Sequence, residues 1–273
     1  MKETSWTYPK SIKEAYHIFQ SEKGIIHAGG TWIKPVILTK YRTVVDLHNT
    51  KLNYFIIDKK NIRIGAMLSL NKIKENLSKY FQSHILIDAI KQAASEPLRN
   101  RITIGGSIAA FPIWSDIVGP LLSLNAKVTL FGTENKEADL ETYLSSPKFK
   151  SDYLIKEVTI PATSFNSFFY KEAKTYFDYA AFTISLSVGQ YNKQPELPSF
   201  ILTGVKSKYM KLKEVEIAFQ KYKKDIQTIE NEIFDLKLEF LNKNGRNNTY
   251  LASIAKIKLL DGLKKVLKET IIK

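Results

Sequence analysis

Apolar residues recur along this chain at two spacings. Ile12, Ala15, Tyr16 and Phe19 fall on one face at helical spacing, which predicts a helix over 11–23. Ser11 is placed to cap it, Glu14 stands at capping-box distance, and Gly24 is the expected stop. Short β-branched runs follow. They predict strands at 25–28 and 44–47, and a hairpin of 54–57 with 61–66 around Asp58-Lys59-Lys60. Helices are expected from Ser69 to about Lys79 and over 85–94, the second stopped by Pro97. A helix over 116–124 tolerates Pro120 because it falls in the first turn. Strands at 126–131 and 153–160, with a short turn of structure at 139–144, complete this part. Helices and strands mix without a βαβ repeat, so the fold class read here is α+β.

Beyond Pro161 the pattern changes. Strand-like runs at 165–173, 180–188 and 200–205 predict an antiparallel three-stranded sheet. Helices are predicted over 225–236 and 250–268, the longer one with Leu251, Ile254, Ala255, Leu259, Leu263 and Val266 on one face. The expected division is into domains 1–163 and 164–273, with the boundary near 161–166.

Two turns interrupt this pattern in the same way. Ile25-Ile26-His27-Ala28 runs into Gly29-Gly30-Thr31, and Arg99-Asn100-Arg101-Ile102-Thr103-Ile104 runs into Gly105-Gly106-Ser107. Paired glycines permit positive φ and a close ligand approach, and successive amides in such a turn can face one anion. Taken together, the two turns suggest one site built from both. Neither is a G-x-G-x-x-G fingerprint or a P-loop. Asp116 is expected to cap a helix or to accept hydrogen bonds from ligand hydroxyls. Lys171 and Lys174 are either solvated strand-edge charges or charges beside a bound ligand. His27 reads more readily as a half-buried structural histidine than as a catalytic one.

Composition narrows the chemistry. The chain has 273 residues and 44% hydrophobic content, which fits a globular core. It has no cysteine, which excludes disulfides, thiol catalysis, Cys-ligated zinc and Cys-held iron–sulfur clusters. His17, His27, His48 and His84 lack metal-ligand spacing, so redox chemistry here requires an organic cofactor. The N-terminal residues carry no apolar signal core, no run approaches the roughly 20 residues of a membrane span, and a cytoplasmic location is expected. The net charge of +14 favours acidic partners in general, but no nucleic-acid recognition motif accompanies it. The lysine-dense stretch 206–224 reads as a surface connection.

Six spaced motifs now bear on identity. They are Ala28-Gly29-Gly30-Thr31, Val45-Asp46-Leu47, the run from Ile62 to Met67, the run from Arg99-Asn100 to Ala109, Ser115-Asp116, and the run from Leu154 to Pro161. In this order they resemble the FAD-binding medium subunit of molybdenum hydroxylases, the group containing xanthine dehydrogenase and carbon monoxide dehydrogenase. The resemblance covers about residues 5–165 and is weaker beyond. It implies a FAD fold of the vanillyl-alcohol-oxidase type, with two α+β subdomains, followed by a C-terminal domain. It further implies FAD contacts at Ile26, His27, Ala28, Gly29, Gly30, Thr31, Trp32, Ile33, Thr103, Ile104, Gly105, Gly106, Ser107, Asp116, Ile155 and Lys171. Ser107 stands where that family usually has Asn, and Trp32 where a small or acidic residue is common.

The function so implied is electron transfer. Iron–sulfur clusters on a small partner subunit, fed by a molybdenum large subunit, pass electrons through FAD to NAD⁺ or another acceptor. No nucleic acid, membrane or resident metal is called for. Two other classes stay open on the sequence: an assembly protein of the same fold without productive FAD, and a basic nucleic-acid binder.

Overall fold

A computed structural model describes residues 4–33, 40–163, 165–191, 194–222, 226–241, 243 and 245–271. The architecture is mixed α/β. Packing divides the chain into two compact units that interleave along the sequence. The first takes 1–76, 95–110 and 126–162; the second takes 77–94, 111–125 and 163–273.

In the first unit, β1 (Ser5–Thr7), β2 (Ile25–His27) and β3 (Thr43–Asp46) form a parallel sheet of order β1-β3-β2. The helix Ile12–Glu22 covers it. Ala15, on that helix, is sealed with Val45 and Leu47, and Tyr16, Phe19 and Ile26 pack around them. Ser11 caps this helix through the Glu14 N–H, whereas the Glu14 carboxylate accepts from the Lys10 N–H. Gly24 does not supply the stop. Lys23 takes the left-handed conformation, φ 49°, while Gly24 lies against β3, where a Cβ would stand 3.0 Å from the Thr43 carbonyl oxygen.

A second sheet of the same unit runs β4-β5-β8-β6-β7. Its strands are β4 (Phe55–Ile57), β5 (Asn61–Gly65), β6 (Lys127–Phe131), β7 (Lys136–Asp139) and β8 (Leu154–Pro161), all antiparallel. The β4–β5 hairpin forms where expected, and the Asp58 carboxylate accepts the Lys60 and Asn61 N–H groups in its turn. Those two backbone donors hold the Asp58 carboxyl below its usual range.

The helix Ile85–Gln92 ends before Pro97 is reached. Ala93 caps it in extended conformation, Ala94 turns at φ 46°, and Pro97 instead sits in the first turn of the next helix, Glu96–Arg99. Arg101 to Ser107 is likewise no open turn. Thr103 makes one bridge to Ser69, and both glycines lie inside the helix Ile104–Ala110, which packs on β8 and β5.

The second unit contains β9 (Phe165–Glu172), β10 (Phe182–Tyr191), β11 (Gln194–Val205) and β12 (Lys208–Lys211). They form an antiparallel sheet of order β12-β11-β10-β9. The expected three strands are therefore four. The lysine-dense stretch read as a connection holds β12 and then the helix Lys213–Lys221. Its lysines concealed Tyr209, Met210, Leu212, Val215 and Phe219, of which the last three are buried.

Along β10, Phe182, Ile184, Leu186 and Val188 enter one core with the helices Lys213–Lys221, Ile226–Asp235 and Asn248–Ile271. The alternate residues Thr183, Ser185 and Ser187 are equally buried on the opposite face, beneath the helix Val118–Ser123. Two hydroxyl pairs form on that face, Thr183 with Thr203 at 2.7 Å and Ser123 with Ser187 at 2.9 Å, while the Ser185 hydroxyl has no partner there. No helix among the described residues is long and apolar enough to cross a membrane.

Candidate functional site

Parallel pairing of β2 with β3 sets His27 beside Asp46. His27 Nδ1 lies 3.0 Å from Asp46 Oδ2, and Asp46 Oδ1 accepts the His48 N–H at 2.8 Å. The Trp6 and His27 rings meet in a T-shaped contact at 5.0 Å between centroids. The chain then leaves the sheet through Ala28, Gly29 and Gly30. Both glycines are required there. A Cβ on Gly29 would stand 1.7 Å from the Arg101 carbonyl oxygen, and Gly30 has φ +70°. Among the described residues, neither glycine amide has a protein acceptor. Ile26 packs into the helix-covered core, Thr31 and Trp32 are exposed, and Ile33 is half-buried.

The second glycine pair works differently. The Ile104 N–H donates to Leu68 O (3.1 Å), and the Gly105 N–H to Ala66 O (2.9 Å). The Gly106 N–H donates to Thr103 Oγ1 (3.2 Å), and the Ser107 N–H to Thr103 O (3.0 Å). All four amides at this helix start are thus used inside the protein, which corrects the expectation of an amide cradle at Gly105-Gly106. Gly105 instead allows close packing: a Cβ there would meet the Ala66 Cβ at 2.8 Å and its carbonyl oxygen at 2.9 Å. The Ser107 hydroxyl bonds back to Thr103 O at 2.9 Å. The Arg99-Asn100 lead-in is a brace. Arg99 Nε donates to Asn71 Oδ1, and Asn71 Nδ2 donates to Asn100 Oδ1, tying this segment to the helix Leu70–Leu77.

The two glycine segments meet, as the contact of Gly29 with Arg101 shows. Beside them opens a cavity of about 730 Å³, within the usual range for small-molecule sites. His27, Ala28, Gly29 and Thr103 line it, together with Asp46, His48, Asn53, Lys72, Asn100 and Arg101. The lining is rich in nitrogen donors and carries one carboxylate, Asp46, already engaged. Such walls suit an anionic, hydroxyl-bearing ligand, and the open Gly29-Gly30 amides can add an anion nest. A diphosphate-bearing dinucleotide fits these groups. Arg101, His48, Asn53 and Lys72 were not singled out from the sequence. Arg101 was within reach, because it stands two residues before Thr103 in the same motif.

Ile155 lies on β8 opposite Leu130, buried in the sheet and not among the residues lining this cavity. Asp116 and Lys171 belong to the second unit and pair with each other. Lys171 Nζ stands 3.3 Å from Asp116 Oδ1, donates to Oδ2 at 3.4 Å, and donates to Gln92 O at 3.0 Å. The lysine side chain is only 3% exposed. Burial pushes the Asp116 carboxyl up to about 6, and the Lys171 charge opposes that rise. Asp116 does not cap the helix Val118–Ser123; Ser115 Oγ accepts the Ile117 and Val118 N–H groups instead.

Comparison with known proteins gives three findings. Residues 2–163 match the family described as "FAD binding domain in molybdopterin dehydrogenase". The nicotinate dehydrogenase FAD-subunit of Eubacterium barkeri is 29% identical over 198 residues, covering 64% of each chain, so the match spans less than two thirds of that relative. Among solved structures, reconstituted CO dehydrogenase from Oligotropha carboxidovorans superposes with a TM-score of 0.83 at 18% identity, over 97% of this chain and 98% of that one. Quinoline 2-oxidoreductase from Pseudomonas putida 86 gives 0.80 at 17% identity, over 98% of each.

Proposed function

This chain belongs to the family of FAD-binding domains of molybdopterin dehydrogenases, and on that premise we propose that it is the FAD-binding, electron-transfer subunit of a molybdenum hydroxylase-type complex. The observation that carries the reading is the cavity at the junction of the two glycine segments, with its nitrogen-rich lining and open Gly29-Gly30 amides. When bound, FAD supplies the junction between one-electron donors and a two-electron acceptor.

The chain's own part is binding and orientation. Gly29, Gly30 and His27 receive the diphosphate region, with Ile26, Ala28, Thr31, Trp32 and Ile33 continuing that wall. Thr103 presents the second segment, and Ile104, Gly105, Gly106 and Ser107 hold it in place through their inward hydrogen bonds. On the family's pattern, Asp116, Ile155 and Lys171 are assigned to the flavin side. The fold is read as two α+β subdomains of the vanillyl-alcohol-oxidase type in residues 1–163 and a C-terminal domain in 164–273.

These 273 residues have no cysteine to hold an iron–sulfur cluster, which supports clusters carried by a partner. The partners proposed are an iron–sulfur small subunit and a molybdenum large subunit. A nitrogen heterocycle suits the complex's substrate, since the sequence relative named for nicotinate carries that chemistry. NAD⁺ is the proposed acceptor. Anaerobic photoreduction of the FAD-loaded chain, followed by NAD⁺, tests it: prompt return of the oxidised flavin spectrum supports NAD⁺, and no return assigns a different acceptor.

A further inference from the structure

We propose that Arg101 is the cation that binds the diphosphate of the dinucleotide; this rests on the FAD reading above. Arg101 belongs to neither glycine pair, and its assignment comes from geometry. The residue lines the cavity, and among the described residues its guanidinium has no ion pair or hydrogen bond. The formally charged side chains that share the cavity with it, Lys72 and Asp46, are already engaged. Lys72 is paired with Glu75 at 2.8 Å, and Asp46 is engaged by His27 and the His48 N–H. Arg101 is therefore an unspent positive charge facing an open space.

Arg101 and His27 converge beside the glycine turn. A Cβ built on Gly30 would lie 3.1 Å from Arg101 Nη2 and 2.6 Å from His27 Nε2. The missing side chain at Gly30 thus lets two nitrogen-bearing side chains close on the turn. Asp46 engages His27 through Nδ1, which is why Nε2 faces Gly30. Gly29 lines the same cavity and its amide has no protein acceptor among the described residues, so a diphosphate bound beside it is within the reach of a guanidinium fork and a backbone donor.

The main chain of Arg101 is fixed. Its N–H donates to Leu98 O at 2.9 Å, its carbonyl abuts Gly29, and the next residue's carbonyl accepts the Leu70 N–H. An exposed side chain on a fixed backbone, with planar donors matched to phosphate oxygens, suits anion recognition. Lysine at this position would keep the charge and lose the fork.

The test is FAD titration by flavin fluorescence on the wild-type chain, Arg101→Gln and Arg101→Lys at several salt concentrations. Circular dichroism and melting temperature confirm folding, and inorganic pyrophosphate serves as competitor. Arg101→Gln is expected to weaken FAD binding by about 10- to 100-fold, flatten its salt dependence and abolish pyrophosphate competition, with Arg101→Lys between. A folded Arg101→Gln that matches wild type in affinity and salt dependence overturns the assignment and leaves the FAD reading standing. A wild-type chain that takes up no FAD overturns the FAD reading. Pyrophosphate then decides Arg101 by itself: raised melting of wild type but not Arg101→Gln supports an anion site, and no difference removes it.

Discussion

At Gly29 the close approach of Arg101's carbonyl oxygen leaves no room for any side chain. Gly29→Ala is therefore expected to destabilise the chain by about 2 kcal/mol, read by urea unfolding, and to reduce flavin retention in gel filtration. Gly105→Ala is a sharper case, because alanine is favoured over glycine within a helix by about 1 kcal/mol. The collision with Ala66, at 2.8 Å from its Cβ, is expected to outweigh that gain and lower stability. Lys171→Met leaves the Asp116 carboxylate buried without its counter-ion and should cost about 3–5 kcal/mol, much of it restored by adding Asp116→Asn. Sequence reading at this scale was uneven. Gly29 and Gly30 were picked out as special, and their geometry requires glycine. Gly105 and Gly106 were picked out as an amide cradle, whereas their amides turn inward to Ala66 O and Thr103 Oγ1. Of the two readings of Asp116, helix cap or acceptor for ligand hydroxyls, the cap fails because neighbouring Ser115 accepts the amides; both are ordinary capping residues, and only the fold decides which faces the amides.

Among the elements, those with strong periodicity were legible. The helix Ile12–Glu22 with its Ser11 cap, the Phe55–Ile57 and Asn61–Gly65 hairpin, and the long helix Asn248–Ile271 lie close to where the apolar pattern placed them. Short strands without an apolar run were not. Ser5–Thr7 and Lys136–Asp139 sit at sheet edges, where pairing to a neighbour rather than burial makes the strand. Lys208–Lys211 was hidden by its charges. Strand β10 carries a different lesson. Its alternation of apolar and hydroxyl residues suggests one wet face, yet both faces are buried, with Thr183 and Ser187, but not Ser185, paired to other hydroxyls under the helix Val118–Ser123. Gly119 makes that contact possible: a Cβ there would lie 2.9 Å from Ser185 Oγ and 3.0 Å from Thr203 Cγ2. Gly119→Val is expected to lower the unfolding midpoint by an amount equivalent to about 1–3 kcal/mol, whereas Ser185→Ala, which removes a buried hydroxyl without a partner, should be nearly neutral.

For the molecule as a whole, two buried groups set opposing pH responses in the second unit. The Asp116 carboxyl is raised from 3.8 to about 6 by burial, so its contribution to stability is full below pH 3.8 and lost as pH rises through about 6. The His84 imidazole is lowered from 6.5 to about 4, again by burial, so its contribution is full above pH 6.5 and lost as pH falls through about 4. Between these limits the two slopes partly cancel. Asp116→Asn is expected to leave the His84 slope exposed, with stability falling from pH 6.5 to 4, and His84→Gln to leave the opposite slope; urea midpoints across pH 4–7.5 distinguish them. The family was legible because six motifs kept their order, while the groups that shape the cavity come from separate segments that only folding assembles. Equilibrium titration of FAD into the purified chain, followed by flavin absorbance and fluorescence after removal of free ligand, tests the central claim most directly. The account predicts saturable uptake with one FAD retained per chain, reduced in Gly29→Ala; a folded wild-type chain that stays colourless at saturating FAD contradicts it.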